Sequence, residues 1–318
     1  MSSIREEAKK LRKMWSGFRQ ARVLITANNY RVFDILTKPQ AAKTISQKLK
    51  IDLRATEILL DALTGLELLR KASGKYKNSP ISNHFLVKDS NHYQGDIIRH
   101  NDSLWKNWSA LDEVVKTGRP SQRARNYQTF ILGMHNIASL KVKAVTKTIV
   151  LKGVKTALDL GGGSGTYSVE MAKRGVRVTL FDNPEALEIA KRLIEKKGIK
   201  GINFIDGDFL VDDIGRGYDL IFVSQVLHSY SETDNFLILR KCRKALNKRG
   251  RVIIQDFYIS DDRTHPSHSA LFSVNMLVNT QAGRCYSPKE MKGWLSKVGF
   301  KNIKQRLLED TVLVAGSA

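Results

Sequence analysis

Much that would narrow the function of this 318-residue chain is scarce or missing. Only 2 cysteines are present, Cys242 and Cys285, far apart and outside any CxxC spacing. A disulfide framework is therefore excluded, and a reduced, cytoplasmic protein is expected. No low-complexity tract or internal repeat occurs, and 6 prolines with 22 glycines rule out collagen-like and disordered classes. Long apolar runs are absent: ALFSVNMLV at 270–278 falls well short of the roughly 20 residues that a membrane-spanning helix needs. The opening MSSIREEAKK lacks the apolar core of a secretory signal, so none is expected. Negative charge is also in deficit, with 31 Asp and Glu against 53 Lys and Arg and a net charge of +22.

That imbalance sits mainly in residues 1–150, which hold 27 basic and 12 acidic side chains against 26 and 19 in 151–318. A basic half invites a nucleic acid or an anionic surface as partner. The basic residues are nevertheless dispersed, and segments such as REEAKKLRK mix both signs, as a solvated Lys-rich surface does. What remains is an ordinary globular composition, 42% hydrophobic and 26% charged, in a chain long enough to bury its own core.

Two halves are legible. Residues 5–148 read as mainly helical, with Leu24, Tyr30, Phe33, Ile35 and Leu36 at helical spacing before a stop near Pro39. Thr44-Ile-Ser-Gln47 predicts a capping box. A longer helix, RATEILLDALTGLELL, and a hairpin turning at Gly74 complete the order of a winged helix. Further helices are expected over 92–117 and 127–148. After Lys155 the apolar runs TALDL, VRVTLFD, INFID, YDLIFVS and GRVIIQDF alternate with helical stretches, the pattern of a parallel sheet covered on both faces. Ser287-Pro-Lys-Glu290 predicts a second capping box with Pro at the first helical position. KNIKQRLL and TVLVAG then follow without a helix between them, which predicts an antiparallel hairpin at the sheet edge. The fold class is α/β, preceded by a mainly helical domain, with domains expected at 1–150 and 151–318.

Strand TALDL runs directly into GGGSG and then a helix, the nucleotide-binding opening of a doubly wound sheet. Gly161, Gly163 and Gly165 permit a tight turn and close approach of a ligand. The dinucleotide spacing GxGxxG is broken, because the sixth position from Gly161 is Thr166. What stands here is DxGxGxG starting at Asp159. Asp182 ends the second strand, where a carboxylate accepts from ribose hydroxyls. Asp206-Gly-Asp208-Phe209 follows the third strand, and a carboxylate beside an apolar ring suits an adenine. Each feature alone is weak, since a Gly-rich turn also serves as a simple connection and a strand-end acid as a cap. The three in order point to S-adenosylmethionine rather than NAD.

With these motifs, and with W…L…V…TGRP at 105–120, FILGM at 130–134, QVLHSY, VNMLVN and GRCYS…E, the chain resembles the class I S-adenosylmethionine-dependent small-molecule O-methyltransferases. The resemblance covers nearly the whole length. It implies a Rossmann-like seven-stranded sheet, an N-terminal winged-helix domain for dimerisation and substrate closure, a homodimer, and no metal. It also implies that Asp159, Gly161, Gly163, Gly165, Asp182, Asp208, Phe209 and Ser224 line the cofactor site.

The donor methyl sits on a sulfonium cation, so the enzyme has to align a hydroxyl and remove its proton. His228, just after YDLIFVS, stands at the edge where such sheets bind ligands, and imidazole suits a base near neutral pH. On position alone a lone His at a strand end is more often a structural hydrogen-bonder; the resemblance reverses this and puts it on the family's general base. Asp256 interrupts an apolar strand, where a buried carboxylate needs a partner. That partner is either the His228 imidazole, which it would orient, or a nearby Lys or Arg. Two departures stand out: Cys285 falls where relatives carry a second supporting Glu, and the family's HDW reads His228-Ser229-Tyr230. Phe130, Met134, Phe272, Asn275, Met276 and Asn279 fall on segments that line the acceptor pocket in relatives, although Met and Phe at helical spacing also make plain core. His135 and Trp105 lie on the same segments. An aromatic or polyene alcohol is the expected acceptor. Two other readings remain: methyl transfer to carbon of a tetrapyrrole-like ring, and a DNA-binding regulator. The second is opposed by Glu57, Asp61 and Glu67 on the helix that would read DNA.

Overall fold

The computed structural model describes residues 3–121 and 126–318. Its first elements are α1 (Ile4–Ser16), α2 (Phe18–Asn29), α3 (Val32–Ile35), β1 (Gln40–Ala41), α4 (Ala42–Leu49), α5 (Leu53–Gly65), β2 (Leu69–Ala72), β3 (Lys75–Asn78) and α6 (Pro80–Phe85). The strands form a small sheet in the order β1-β3-β2, with the β2–β3 turn at Gly74, whose φ is +69°. Phe33, Leu36, Ile45, Leu60, Leu63 and Tyr76 pack beneath it. The anticipated capping box at Thr44 does not form. Pairing of Gln40 with Tyr76 and Ala41 with Lys75 keeps the chain extended to Ala41, so α4 starts two residues before Thr44 and has no side-chain cap. α1 opens on a capping box between Ser3 and Glu6, yet none of its residues is buried.

α7 (Gly95–Trp108) carries the chain into the second part, with α8 (Leu111–Thr117), α9 (Tyr127–Ile149), β4 (Thr156–Leu160), α10 (Thr166–Ala172), β5 (Arg177–Asp182), α11 (Pro184–Glu195), β6 (Ile202–Asp206), β7 (Tyr218–Ser224), α12 (Glu232–Ala245), β8 (Leu246–Phe257), α13 (Ser267–Asn279), α14 (Pro288–Val298), β9 (Lys301–Leu308) and β10 (Thr311–Ser317). The seven strands run β6-β5-β4-β7-β8-β10-β9. The first five are mutually parallel, and β10 lies antiparallel to both β8 and β9. The C-terminal hairpin is therefore present, and the Ser287 capping box with Pro288 opens α14 as anticipated.

The chain divides into compact units at 103/104 rather than near 150. The reason is α9: Val145 and Ile149 pack against Ala157, Met171, Val178 and Phe222, which makes this helix part of the sheet's covering layer. Strand order reverses between β4 and β7, because β5 and β6 extend one way and β8 the other. Loops leaving the C-terminal ends of β4 and β7 therefore part and frame a crevice, the usual ligand position in open α/β sheets.

Candidate active site

The glycine loop after β4 is shaped by lack of space as much as by dihedral angle. Gly161, Gly163 and Gly165 have φ of +69°, +54° and +71°. A Cβ on Gly161 would lie 2.7 Å from Val226 Cγ2, and one on Gly165 would lie 2.9 Å from both Ile194 and Leu180. On Gly163 it would meet nothing nearer than Ile131 at 3.8 Å. Two glycines thus let the loop pack down, and the third leaves open space above it.

Three carboxylates stand at or just beyond the ends of the adjoining strands β4, β5 and β6. Asp159 is 1% exposed and its Oδ2 accepts from Ser168 at 2.6 Å, while its Oδ1 is buried without a hydrogen-bond partner among the described residues. Burial pushes its pKa up to about 6. A half-satisfied buried carboxylate of this kind suits a ligand cation. Asp182 Oδ2 accepts from Gly163 N at 2.8 Å and its Oδ1 from Asn183 N at 2.8 Å, which ties the loop to the end of β5. Asp208 is exposed and caps Leu210 N at 2.8 Å, with the Phe209 ring buried beside Gly161. Ser224 donates to Gln255 Oε1 at 2.9 Å, so its hydroxyl is already engaged within the protein.

At the end of β7 a 3₁₀ turn, Leu227–Ser229, carries His228, whose ring is nearly buried. His228 Nδ1 lies 2.7 Å from Asp256 Oδ1, and its backbone N–H donates to Asp256 Oδ2 at 3.3 Å. Of the two partners open to Asp256, the imidazole is the one it meets. An acceptor oxygen at Nδ1 keeps the proton there and leaves Nε2 with its lone pair. Phe272 stands edge-on to the imidazole, with ring centroids 5.0 Å apart, and Phe257 packs on Phe272 at 4.1 Å. Cys285 is buried nearby. Burial holds its thiol protonated, with a pKa of about 12, and the charge of Asp256 adds to the effect.

The description of the matching family model for residues 103–301 is an O-methyltransferase domain, and 13–88 match an O-methyltransferase dimerisation domain. The chain belongs to the O-methyltransferase family. It is accordingly an O-methyltransferase enzyme. It is similar to 3-hydroxy-5-methyl-1-naphthoate 3-O-methyltransferase of Streptomyces sahachiroi, 29% identical over 91% of this chain and 88% of that one. Acetylserotonin O-methyltransferase of Gallus gallus is 29% identical over 92% and 91% of the two chains. The crystal structure of human N-acetylserotonin methyltransferase in complex with S-adenosylmethionine superposes with a TM-score of 0.90 at 24% identity, covering 100% and 99%.

Within this methyltransferase the residues expected on the acceptor side divide. Phe272 on α13 stands near His228, and Met276, one turn further along the helix, is buried. Asn275 and Asn279 have polar work inside the fold: Asn275 Oδ1 accepts from Trp108 Nε1 at 2.9 Å, and Asn279 Oδ1 accepts from Asn107 at 2.8 Å. Phe130 is exposed on α9 and Met134 half-buried there. His135, on the same helix, bonds Thr166 Oγ1 at 2.7 Å, and burial lowers its pKa to about 4. Two aromatic residues escaped the sequence reading. Tyr230 stacks edge-on to Phe209 at 5.4 Å, and burial together with the charges of Asp208 and Asp182 raises its pKa to about 12. Tyr127 accepts a hydrogen bond from Asn183 next to Asp182. The one available signal for Tyr230 was its place two residues after His228. Among the described residues no cluster is placed to hold a metal ion, and no helix is long and apolar enough to cross a membrane.

Proposed function

We propose that the enzyme moves the methyl group of S-adenosylmethionine to a hydroxyl of a small aromatic acceptor, with His228 as general base and Asp256 as its orienting partner. The observation that carries this reading is the 2.7 Å contact between His228 Nδ1 and Asp256, in a turn beside the glycine loop. When bound, the cofactor supplies a sulfonium methyl, whose carbon–sulfur bond breaks toward sulfur to leave S-adenosylhomocysteine. His228 Nε2 takes the acceptor's proton as the oxygen bonds to the methyl carbon, and Asp256 faces the positive charge that develops on the ring. The Phe257–Phe272 pair supplies an apolar wall that suits an aromatic acceptor. The naphthoate named for one relative favours the same class.

Asp159 would hold the cationic amino-acid end of the cofactor, Asp182 the ribose, and Asp208 with Phe209 the adenine, while Gly163 leaves room for close approach. This assignment has a pH signature. Asp159 is charged above about pH 6 and neutral below it, and only the charged form attracts a cation. Cofactor affinity measured by calorimetry should be flat above pH 6 and weaken by up to about tenfold per unit below it. Asp159→Asn should bind weakly throughout and flatten that dependence; an unchanged profile would remove Asp159 from this role.

The active form is a homodimer in this reading, supported by the dimerisation domain and by an uncovered apolar stripe on and beside α1. Leu11 and Trp15 are 57% and 59% exposed, with Met14 and Phe18 alongside. Light scattering should find the wild type as a dimer and the double variant Leu11→Glu, Trp15→Glu as a folded monomer. The same residues 13–88 match a dimerisation domain, which favours self-association over DNA binding. The overall reading is tested with methyl-labelled S-adenosylmethionine and a panel of phenols and catechols: label should appear as a methyl ether, and label on carbon would overturn it.

A further inference from the structure

The turn that carries His228 is gripped along its backbone. Leu227 O accepts from Asn235 Nδ2 at 3.0 Å, and Tyr230 O accepts from Tyr286 Oη at 2.6 Å. Turn bonds from Ser229 N to Val226 O (3.0 Å) and Tyr230 N to Leu227 O (3.2 Å) close it from within. The remaining side is covered by the segment after α13. A Cβ on Gly283 would lie 2.4 Å from His228 O, 2.5 Å from Thr280 Oγ1 and 3.0 Å from Ser229 Cα. Two of those three atoms are backbone, so no rotamer change relieves the overlap. Gly283 does not have a positive φ, and its requirement is therefore purely one of space. Nor is the segment free to retreat: Gly283 N donates to Thr280 Oγ1 at 2.9 Å, and Thr280 Oγ1 donates to Met276 O at 2.7 Å, which anchors it to the helix carrying Phe272.

We propose that Gly283 is a positioning residue for the reaction: its missing side chain lets the 280–283 segment lie directly on the His228 peptide and sets where the imidazole stands against the acceptor. Tyr286 is its counterpart at the other end of the turn. The inference rests on the reading of His228 as general base. A displaced base harms only reactions that need one. An acceptor that is already ionised has no proton to give up, and its methylation survives a misplaced imidazole.

The test uses two phenols of matched shape from those the wild type methylates, one un-ionised at the assay pH and one nitro-substituted and already ionised. Gly283→Ala should lose kcat on the order of 10²-fold with the un-ionised phenol, the cost of about an ångström of misplacement. It should keep near wild-type kcat with the ionised phenol and near wild-type cofactor affinity. Equal losses with both phenols, or no loss with either, would overturn the proposal. Where Gly283→Ala does not fold, Tyr286→Phe carries the test, since it keeps the ring against Trp294 and removes only the bond to Tyr230 O. Selective loss in that variant supports the clamp, and uniform or absent loss overturns it. His228→Ala on the same pair separates the two readings: wild-type rates on both phenols would remove His228 as base, whatever Gly283→Ala does.

Discussion

Replacing His228 with alanine should lower kcat for an un-ionised phenol by about 10²- to 10⁴-fold, the usual contribution of a positioned general base. Two features put the effect at the upper part of that range. Asp256 fixes the tautomer through Nδ1, which leaves the lone pair on Nε2. Phe272 and Phe257 limit water around the imidazole, and bulk water is therefore a poor substitute base. The proton moves only in the transition state, so the loss falls on kcat while KM and cofactor affinity stay close to wild type. Label transfer followed by mass spectrometry reads the rate, and calorimetry reads the cofactor. Undiminished methyl-ether formation by the variant would mean that the acceptor arrives ionised or that another group takes its proton.

What the sequence revealed was mostly local. DxGxGxG, Asp182, Asp208-Phe209 and His228 each stand at the end of an apolar strand, and strand ends in a doubly wound sheet converge without further information. Contacts made across the chain were not legible. Nothing near Gly283 signals that it rests on a peptide 55 residues earlier, and nothing near Tyr286 points to Tyr230. Asn275 and Asn279 are placed at a pocket by their segment, but Trp108 and Asn107 on α7 occupy their amide oxygens. The misjudged start of α4 has the same origin: a capping motif is local, and the β1–β3 pairing that pre-empts it is not. The boundary near 150 followed a change of sequence pattern from helix to strand, whereas compactness follows burial, and α9 buries its apolar face on the sheet.

Asp256→Asn is the substitution with the next largest expected effect, and its consequences can be followed atom by atom. Three N–H groups converge on this buried carboxylate: His228 Nδ1 at 2.7 Å and Phe257 N at 2.8 Å on Oδ1, and His228 N at 3.3 Å on Oδ2. An amide has one oxygen. Facing it toward Nδ1 satisfies two donors and sets its own NH₂ against the His228 backbone N–H. Facing it the other way sets the NH₂ against Nδ1 and favours the tautomer that cannot accept a proton at Nε2. The first leaves the NH₂ and the His228 backbone N–H both without an acceptor, whereas the second leaves only the Phe257 N–H, so the second should dominate, with that unsatisfied buried donor costing about 1–3 kcal/mol of stability. In that arrangement Nε2 carries the proton, the negative charge facing the imidazole is gone, and Cys285 is a protonated thiol that cannot replace it. The expected loss in kcat is about 10³- to 10⁴-fold, approaching the roughly 10⁴ seen when an orienting Asp→Asn change inverts the tautomer in a serine protease. Asp256 acts through His228, so adding Asp256→Asn to His228→Ala should cost little further kcat. A full additional loss in the double variant, with cofactor affinity retained, would mean that the carboxylate meets the acceptor itself.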